Sequence, residues 1–157
     1  MRLKYFSRFA TAVIIPLIIV AADYASKSFM ITYLKSKPSM SVKLTSFFSF
    51  VYTWNHGISF GFFNEYYQYS NTIFLILNSL IVLYLFVIFV VDNSWKWPCL
   101  LIIGGGIGNL VDRFSKGAVF DFIHLHYGKY SFPAFNIADS TITIGITLLL
   151  LFAIFKK

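Results

Sequence analysis

The chain has 157 residues, of which 58% are hydrophobic and only 12% are charged, and its mean hydropathy is +0.73. This composition excludes an ordinary soluble domain and is typical of a protein that lies mostly in lipid. The formal charge of +7 comes without a dense basic run, so anionic membrane lipid is a better partner for it than nucleic acid.

The first apolar segment, residues 9–34, has features of a secretory signal peptide, because a basic start precedes an apolar run and small residues follow. Apolar residues continue past those small residues, so we expect an uncleaved membrane helix, which Pro16 interrupts. Asp23 and Lys27 within it are one helical turn apart. An ion pair between them is expected, and a direct substrate role for either residue stays equally open.

Three more apolar segments follow, at residues 72–91, 97–114 and 137–155. The segment at 97–114 carries four closely spaced glycines, which predict close approach of neighbouring backbones. Four spans place both termini on one side of the membrane. Basic residues divide equally between the two sides, but they are denser in the short inner segments, which favours cytoplasmic termini.

The loop between the first two spans, residues 35–69, is more than a tether. Its β-branched and aromatic run from Val42 to Thr53 predicts a small sheet at the membrane surface. The aromatic run Phe62–Tyr69 suits either a short interfacial segment or a simple aromatic belt. No repeat or linker divides the chain, so we expect a single domain over residues 1–157.

Four of the six acidic residues lie in or beside apolar segments, where an ionisable group is costly unless it is paired or functional. Asp121 lies in the strand-like run Val119–Ile123, and Asp139 begins the fourth span three residues after Asn136, which is expected on the same helical face. Two carboxylates near one membrane face suit aspartic protease chemistry. Alternatively, Asp139 only complements a helix dipole.

The end of the third span also carries Asn109, Asp112 and Arg113 on one helical face. Asp112 and Arg113 are interpreted in two ways, which the residues alone leave open. They terminate the span at the interface, or Arg113 reaches a carboxylate in a site and keeps it ionised.

Three rival readings are weaker. A zinc peptidase needs a third ligand beside His124 and His126, and none has characteristic spacing. A serine–lysine peptidase needs a neutral Lys27, whereas Asp23 favours the charged form. An ion or proton carrier needs acids across the membrane, but Asp112, Asp121 and Asp139 gather at one face.

Five stretches in order resemble the lipoprotein signal peptidase family, also called signal peptidase II. They are Asp23-Tyr24-Ala25-Ser26-Lys27, the seven residues from Asn55 to Gly61, the nine from Gly105 to Arg113, Val119-Phe120-Asp121-Phe122-Ile123, and the eight from Phe132 to Asp139. The resemblance covers essentially the whole chain, and five such motifs at the ends of four spans are highly specific.

The resemblance implies an α-helical integral membrane protein with four transmembrane helices and a small extracytoplasmic β-cradle. It implies an aspartic endopeptidase of the bacterial cytoplasmic membrane that removes signal peptides from diacylglyceryl-modified prolipoproteins, just before the lipidated cysteine. We expect this protein to be a monomer. The site lies near the extracytoplasmic face and needs neither metal nor cofactor. The implied catalytic pair, called the dyad below, is Asp121 and Asp139. Residues that would support the substrate or the dyad are Asn55, Gly57, Asn109, Arg113 and Asn136. Structural or supporting roles would belong to Asp23, Lys27 and Asp112.

Overall fold

The computed structural model describes residues 2–57, 67–91 and 96–155. In chain order, its elements are α1 (Arg2–Lys35), β1 (Ser41–Lys43), β2 (Phe48–Asn55), α2 (Tyr67–Val91), α3 (Lys96–Lys116), β3 (Val119–Tyr127), β4 (Tyr130–Ser131) and α4 (Ile137–Phe155). The expected segments at 9–34, 72–91, 97–114 and 137–155 each correspond to one helix, and the first three helices extend beyond the predicted bounds.

Three of these helices contain a segment long and apolar enough to cross a membrane, namely Ala10–Lys35, Tyr69–Val90 and Ile137–Phe155. Their outward surfaces carry exposed Ile, Leu, Val and Phe side chains, which is costly in water and ordinary in lipid. The structure is therefore a mostly helical one with three candidate spans and a small antiparallel sheet. A fourth span over α3 stays a prediction.

α3 packs against α1, α2 and α4 and is the central helix of the group. Its glycines permit this, as predicted: a Cβ at Gly108 would lie 2.8 Å from Oδ2 of Asp23, and one at Gly105 would meet the carbonyl oxygen of Ala138. α1 and α4 therefore approach α3 closely at the level of the acidic residues.

The four strands form one antiparallel sheet in the order β1-β2-β3-β4. Two sequence predictions are confirmed here, the sheet over 42–53 and the strand at 119–123. The register pairs Thr53 with Asp121 and Asn55 with Val119. The sheet packs on the C-terminal end of α1 through a buried apolar cluster of Met30, Leu34, Phe120 and Phe122.

Two sequence interpretations lie wholly or partly outside the described residues. The proposed interfacial run Phe62–Tyr69 overlaps them only where α2 begins, at Tyr67. The sequence also suggests that the two remaining acidic residues, Glu65 and Asp92, are solvated residues of a loop and a turn, and both lie outside the described residues.

Candidate active site

Asp121 lies on β3 between Phe120 and Phe122, at the point where the sheet meets the helices, and its side chain is 1% exposed. Both carboxylate oxygens accept a hydrogen bond from a neutral side-chain amide. Asn55 on β2 donates to Oδ2 at 2.9 Å, and Asn136 donates to Oδ1 at 2.7 Å. The β2–β3 register brings Asn55 within reach of this strand position.

Asp139 lies in the first turn of α4. The sequence predicted that Asn136 shares a helical face with Asp139, but Asn136 lies one residue before the helix begins. The Asn136 Oδ1 accepts the N–H of Asp139 at 2.9 Å, and the Asn136 N–H donates to the Asp139 Oδ2 at 3.2 Å. This reciprocal pair is a capping box, with Asn at the cap and Asp three residues later. The end of α4 therefore fixes the position of the Asp139 carboxylate.

Asn136 joins the two carboxylates, since it donates to Asp121 through its side chain and to Asp139 through its backbone. Asn109 on α3 adds a third link. Its Nδ2 donates to Asp139 Oδ1 at 2.7 Å, while its Oδ1 accepts the Asn136 side chain at 3.2 Å and Lys27 Nζ at 3.1 Å. The structure thus brings together the two aspartates and three asparagines that the resemblance singled out.

A buried charged cluster adjoins this site. Lys27 Nζ lies 2.7 Å from Asp23 Oδ2, so the predicted ion pair is confirmed, and 2.9 Å from Asp112 Oδ2, a contact between helices that the sequence did not reveal. Lys116 pairs with the other Asp112 oxygen at 3.1 Å. Asp23 also accepts the N–H of Ala138 at 3.0 Å, so it caps α4 as well.

Arg113 adjoins the site without forming an ion pair with either dyad carboxylate. Its guanidinium lies over the Phe74 ring, 5.0 Å from the centroid, and donates to Asn71 Oδ1 at 3.5 Å. Of the two interpretations that the sequence left open for Arg113, an ion pair with a carboxylate of the site is not observed among the described residues, and the contacts seen here are with Phe74 and Asn71.

Gly57 supports the same arrangement. Its φ of 96° is in the region that favours glycine, its N–H donates to Asn55 Oδ1 at 2.8 Å, and a Cβ there would collide with the Phe74 ring. Sequence reasoning missed Phe74 and Asn71. A signal did exist, because Asn71 and Asn78 are seven residues apart on one face of α2, and both donate to α3 carbonyls.

The site holds one carboxyl with an unusual pKa. Burial, followed by the neighbouring Asp139 charge, raises the pKa of Asp121 to about 7, although the amides of Asn55 and Asn136 oppose the rise. A carboxyl of this kind keeps a proton close to neutral pH, which is what a general acid requires.

The two histidines of the rejected zinc hypothesis lie on β3. Their ring centroids are 5.3 Å apart, and each ring contacts a serine hydroxyl: His124 that of Ser131, at 2.7 Å, and His126 that of Ser49, at 2.9 Å. Among the described residues, no three His, Cys, Asp or Glu side chains converge as metal ligands would.

Comparison with known proteins identifies the family. Residues 15–155 match the family model described as signal peptidase (SPase) II, which is nearly the whole chain. The chain belongs to the signal peptidase II family. A lipoprotein signal peptidase of Rickettsia felis is 50% identical over 149 residues, which cover 94% of this chain and 76% of that protein. One of Rickettsia akari is 52% identical over 143 residues, covering 90% and 72%.

A solved structure is similar to this chain over nearly its whole length. It is described as a bacterial membrane enzyme studied by the in meso method at 1.9 Å resolution, and it aligns with a TM-score of 0.76 and 29% sequence identity. The alignment covers 94% of each chain. The helices and the sheet of the present chain thus share the architecture of that membrane enzyme.

Proposed function

We propose that this protein is a membrane aspartic endopeptidase that removes signal peptides from diacylglyceryl-modified bacterial prolipoproteins. The relatives named lipoprotein signal peptidase support the reaction and the substrate class. The observation that carries the aspartic assignment is the pair Asp121 and Asp139, which one asparagine bridges at the junction of sheet and helices.

The chemistry follows from the pairing. Two neighbouring carboxylates do not both ionise cheaply, so they hold one proton between them and titrate as a pair. The ionised member accepts a proton from a water molecule as its oxygen attacks the scissile carbonyl, while the protonated member donates a hydrogen bond to the carbonyl oxygen. Asn55 and Asn109 keep the two carboxylates in place, which supplies the orientation that the reaction needs.

We further propose that α3 is a fourth span. Its 21 residues would extend about 32 Å, enough for a hydrocarbon core of about 30 Å. The strand that follows α3 pairs with β2, which in turn follows α1, so α3 returns the chain to the end of the bundle where α1 finishes. Glycines and polar groups lower the hydropathy of α3. The helix tolerates them because it packs against the three other helices, whose outward surfaces would face lipid instead.

In this arrangement the sheet and the dyad lie near the extracytoplasmic face of the bacterial membrane, and both termini are cytoplasmic. The whole chain acts as one monomeric domain. The substrate's acyl chains stay in the bilayer, so their burial positions the peptide bond just before the lipidated cysteine against the dyad. Of the remaining residues, Gly57 and Arg113 support substrate or dyad, while Asp23, Lys27 and Asp112 hold α1, α3 and α4 together.

The proposal is tested by the cleavage activity of the purified protein in detergent, on one prolipoprotein with and without diacylglycerol on its cysteine. We expect cleavage just before the cysteine, much faster on the lipidated form and unchanged by EDTA. Equal rates on the two forms would contradict the role of the acyl chains. Loss of activity in EDTA with recovery on adding zinc would contradict the aspartic mechanism and return attention to His124 and His126.

A further inference from the structure

The two carboxylates of the candidate dyad lie in different surroundings. Asp139 is partly exposed and lies in the first turn of α4, whereas Asp121 is 1% exposed and lies on a strand between two buried phenylalanines. Water and a helix N-terminus both stabilise a negative charge, and an apolar strand does not.

Asp139 accepts a hydrogen bond at each of its carboxylate oxygens. Its Oδ2 accepts the backbone N–H of Asn136 as part of the capping box, and its Oδ1 accepts the Asn109 amide. The Lys27 ammonium donates to the Oδ1 of that same amide, which turns the Nδ2 of Asn109 toward Asp139. Asp139 thus receives one helix-terminal N–H and one amide that a cation orients.

The partners of Asp121 are weaker at stabilising charge, since both are neutral side-chain amides, from Asn55 and Asn136. Charged groups beside the two carboxylates include Asp23 and Lys27 on α1 and Asp112, Arg113 and Lys116 on α3. Lys27 is paired with two aspartates, Lys116 with one, and Arg113 lies over Phe74. The Lys27 charge favours the ionised form of Asp121, as the two amides do, but burial outweighs these effects.

From this asymmetry we infer that the single proton of the dyad resides on Asp121 and that Asp139 is the carboxylate that acts as the base. The inference rests on the proposed aspartic mechanism and assigns its two roles. The raised pKa of Asp121, of which burial is the largest cause, agrees with the assignment.

The reaction then balances as follows. Asp139 takes a proton from water as the water oxygen bonds to the scissile carbonyl carbon, and Asp121 gives its proton to the carbonyl oxygen. The resulting diol collapses when the C–N bond breaks. Asp139 passes its proton to the leaving nitrogen, and Asp121 regains a proton from a diol hydroxyl, so the dyad returns to its starting state with one water consumed.

The assignment is tested by the midpoint of thermal unfolding in detergent, followed between about pH 4 and pH 8, for the native protein, Asp121→Asn and Asp139→Asn. A carboxyl whose pKa is higher in the folded state stabilises fully below its unfolded value, and that contribution is lost as pH rises through the folded value. For Asp121 this window runs from 3.8 to about 7.

We expect the native midpoint to fall across this window, and Asp121→Asn to make the fall smaller because Asn resembles the protonated acid. Asp139→Asn should keep more of the fall than Asp121→Asn does, since the burial of Asp121 is unchanged. A fall as large in Asp121→Asn as in the native protein, or a smaller fall in Asp139→Asn than in Asp121→Asn, would overturn the assignment. Cleavage by the two variants is measured separately. Near-normal turnover in both would refute the aspartic function itself. If both are inactive but the fall in midpoint is smaller in Asp139→Asn than in Asp121→Asn, only the assignment of the proton is refuted.

Should an aspartate variant fail to fold, the pH profile of kcat/KM, which reports the pKa values of the free enzyme, tests the assignment with milder changes. Asn55 contacts Asp121, and Asn109 contacts Asp139. Asn55→Ala should move the alkaline limb to higher pH, because it removes a donor that lowers the pKa of Asp121. Asn109→Ala should lower kcat and leave that limb in place. A limb moved by Asn109→Ala and not by Asn55→Ala would overturn the assignment.

Discussion

Asn136 shows how a single residue links structure and chemistry in this protein. It is completely buried, it caps α4, and it donates to both members of the dyad. The residue that caps the N-terminus of α4 therefore also holds the two carboxylates next to each other. An aspartate in a helical first turn is ordinarily explained by the helix dipole, and the catalytic role that we propose for Asp139 is compatible with that explanation.

The pKa of Asp121 predicts an alkaline limb for the reaction. Because the acid must carry its proton, kcat/KM for a lipidated prolipoprotein should fall as pH rises above about 7, by roughly tenfold per pH unit once Asp121 of the free enzyme is ionised. Circular dichroism at each pH serves as the control for folding. A rate that stays constant to about pH 9 would contradict the general-acid role.

Asp23 is expected to act through stability. In Asp23→Asn, Lys27 keeps its contacts with Asp112 and Asn109, and the Asn side chain retains an acceptor for the Ala138 N–H. The change should therefore lower the free energy of unfolding by about 1–3 kcal/mol, with turnover per folded molecule nearly unchanged.

The matched variant Asp23→Ala also removes the acceptor for the Ala138 N–H, so it should be less stable than Asp23→Asn. Yield and thermal midpoint measure both changes. A normally folded Asp23→Asn protein with no activity would show that Asp23 takes part in the chemistry instead.

At the scale of elements, the turn after β2 connects the sheet to α2. Gly57 has a positive φ, and its lack of a side chain leaves room for the Phe74 ring. Phe74 in turn contacts the Arg113 guanidinium. A side chain at this turn would displace Phe74, and with it a cation that adjoins the dyad.

Gly57→Ala should therefore reduce kcat/KM by roughly tenfold to a hundredfold, because small displacements at a site are costly. Gly128→Ala is the matched control, since Gly128 also has positive φ but has open space where its Cβ would lie. Both changes should cost about 1–2 kcal/mol of backbone strain. Equal activity in the two variants would argue against a role for the Phe74 contact.

The helices show what hydropathy predicts and what it leaves out. α4 begins and ends where its apolar run does, and the helix α3 was recognised although glycines and polar groups dilute its sequence. The contact between Lys27 and Asp112 was not predictable, because it joins two helices whose mutual rotation is set by packing at Gly108. Periodicity places a residue on a face, and packing decides what that face meets.

At the scale of the whole molecule, the site forms where three helices and a sheet meet. The motifs indicated which residues matter, but Asn55, Asn109 and Asn136 come from β2, α3 and the segment before α4, and their shared contacts depend on tertiary structure. The position of Arg113 over Phe74 was likewise beyond sequence reasoning, because a helical face alone gives an arginine several reachable partners.

The most direct test of the account is the turnover of lipidated prolipoprotein per folded molecule by Asp121→Asn, Asp139→Asn and the double variant. Each single change should lower kcat by roughly a hundredfold to ten-thousandfold, because it abolishes proton exchange while nearly preserving size. The two groups act as one unit, so the double variant should be scarcely slower than either single one. Near-normal turnover in a folded single variant, or fully multiplicative losses in the double one, would contradict a shared aspartic dyad.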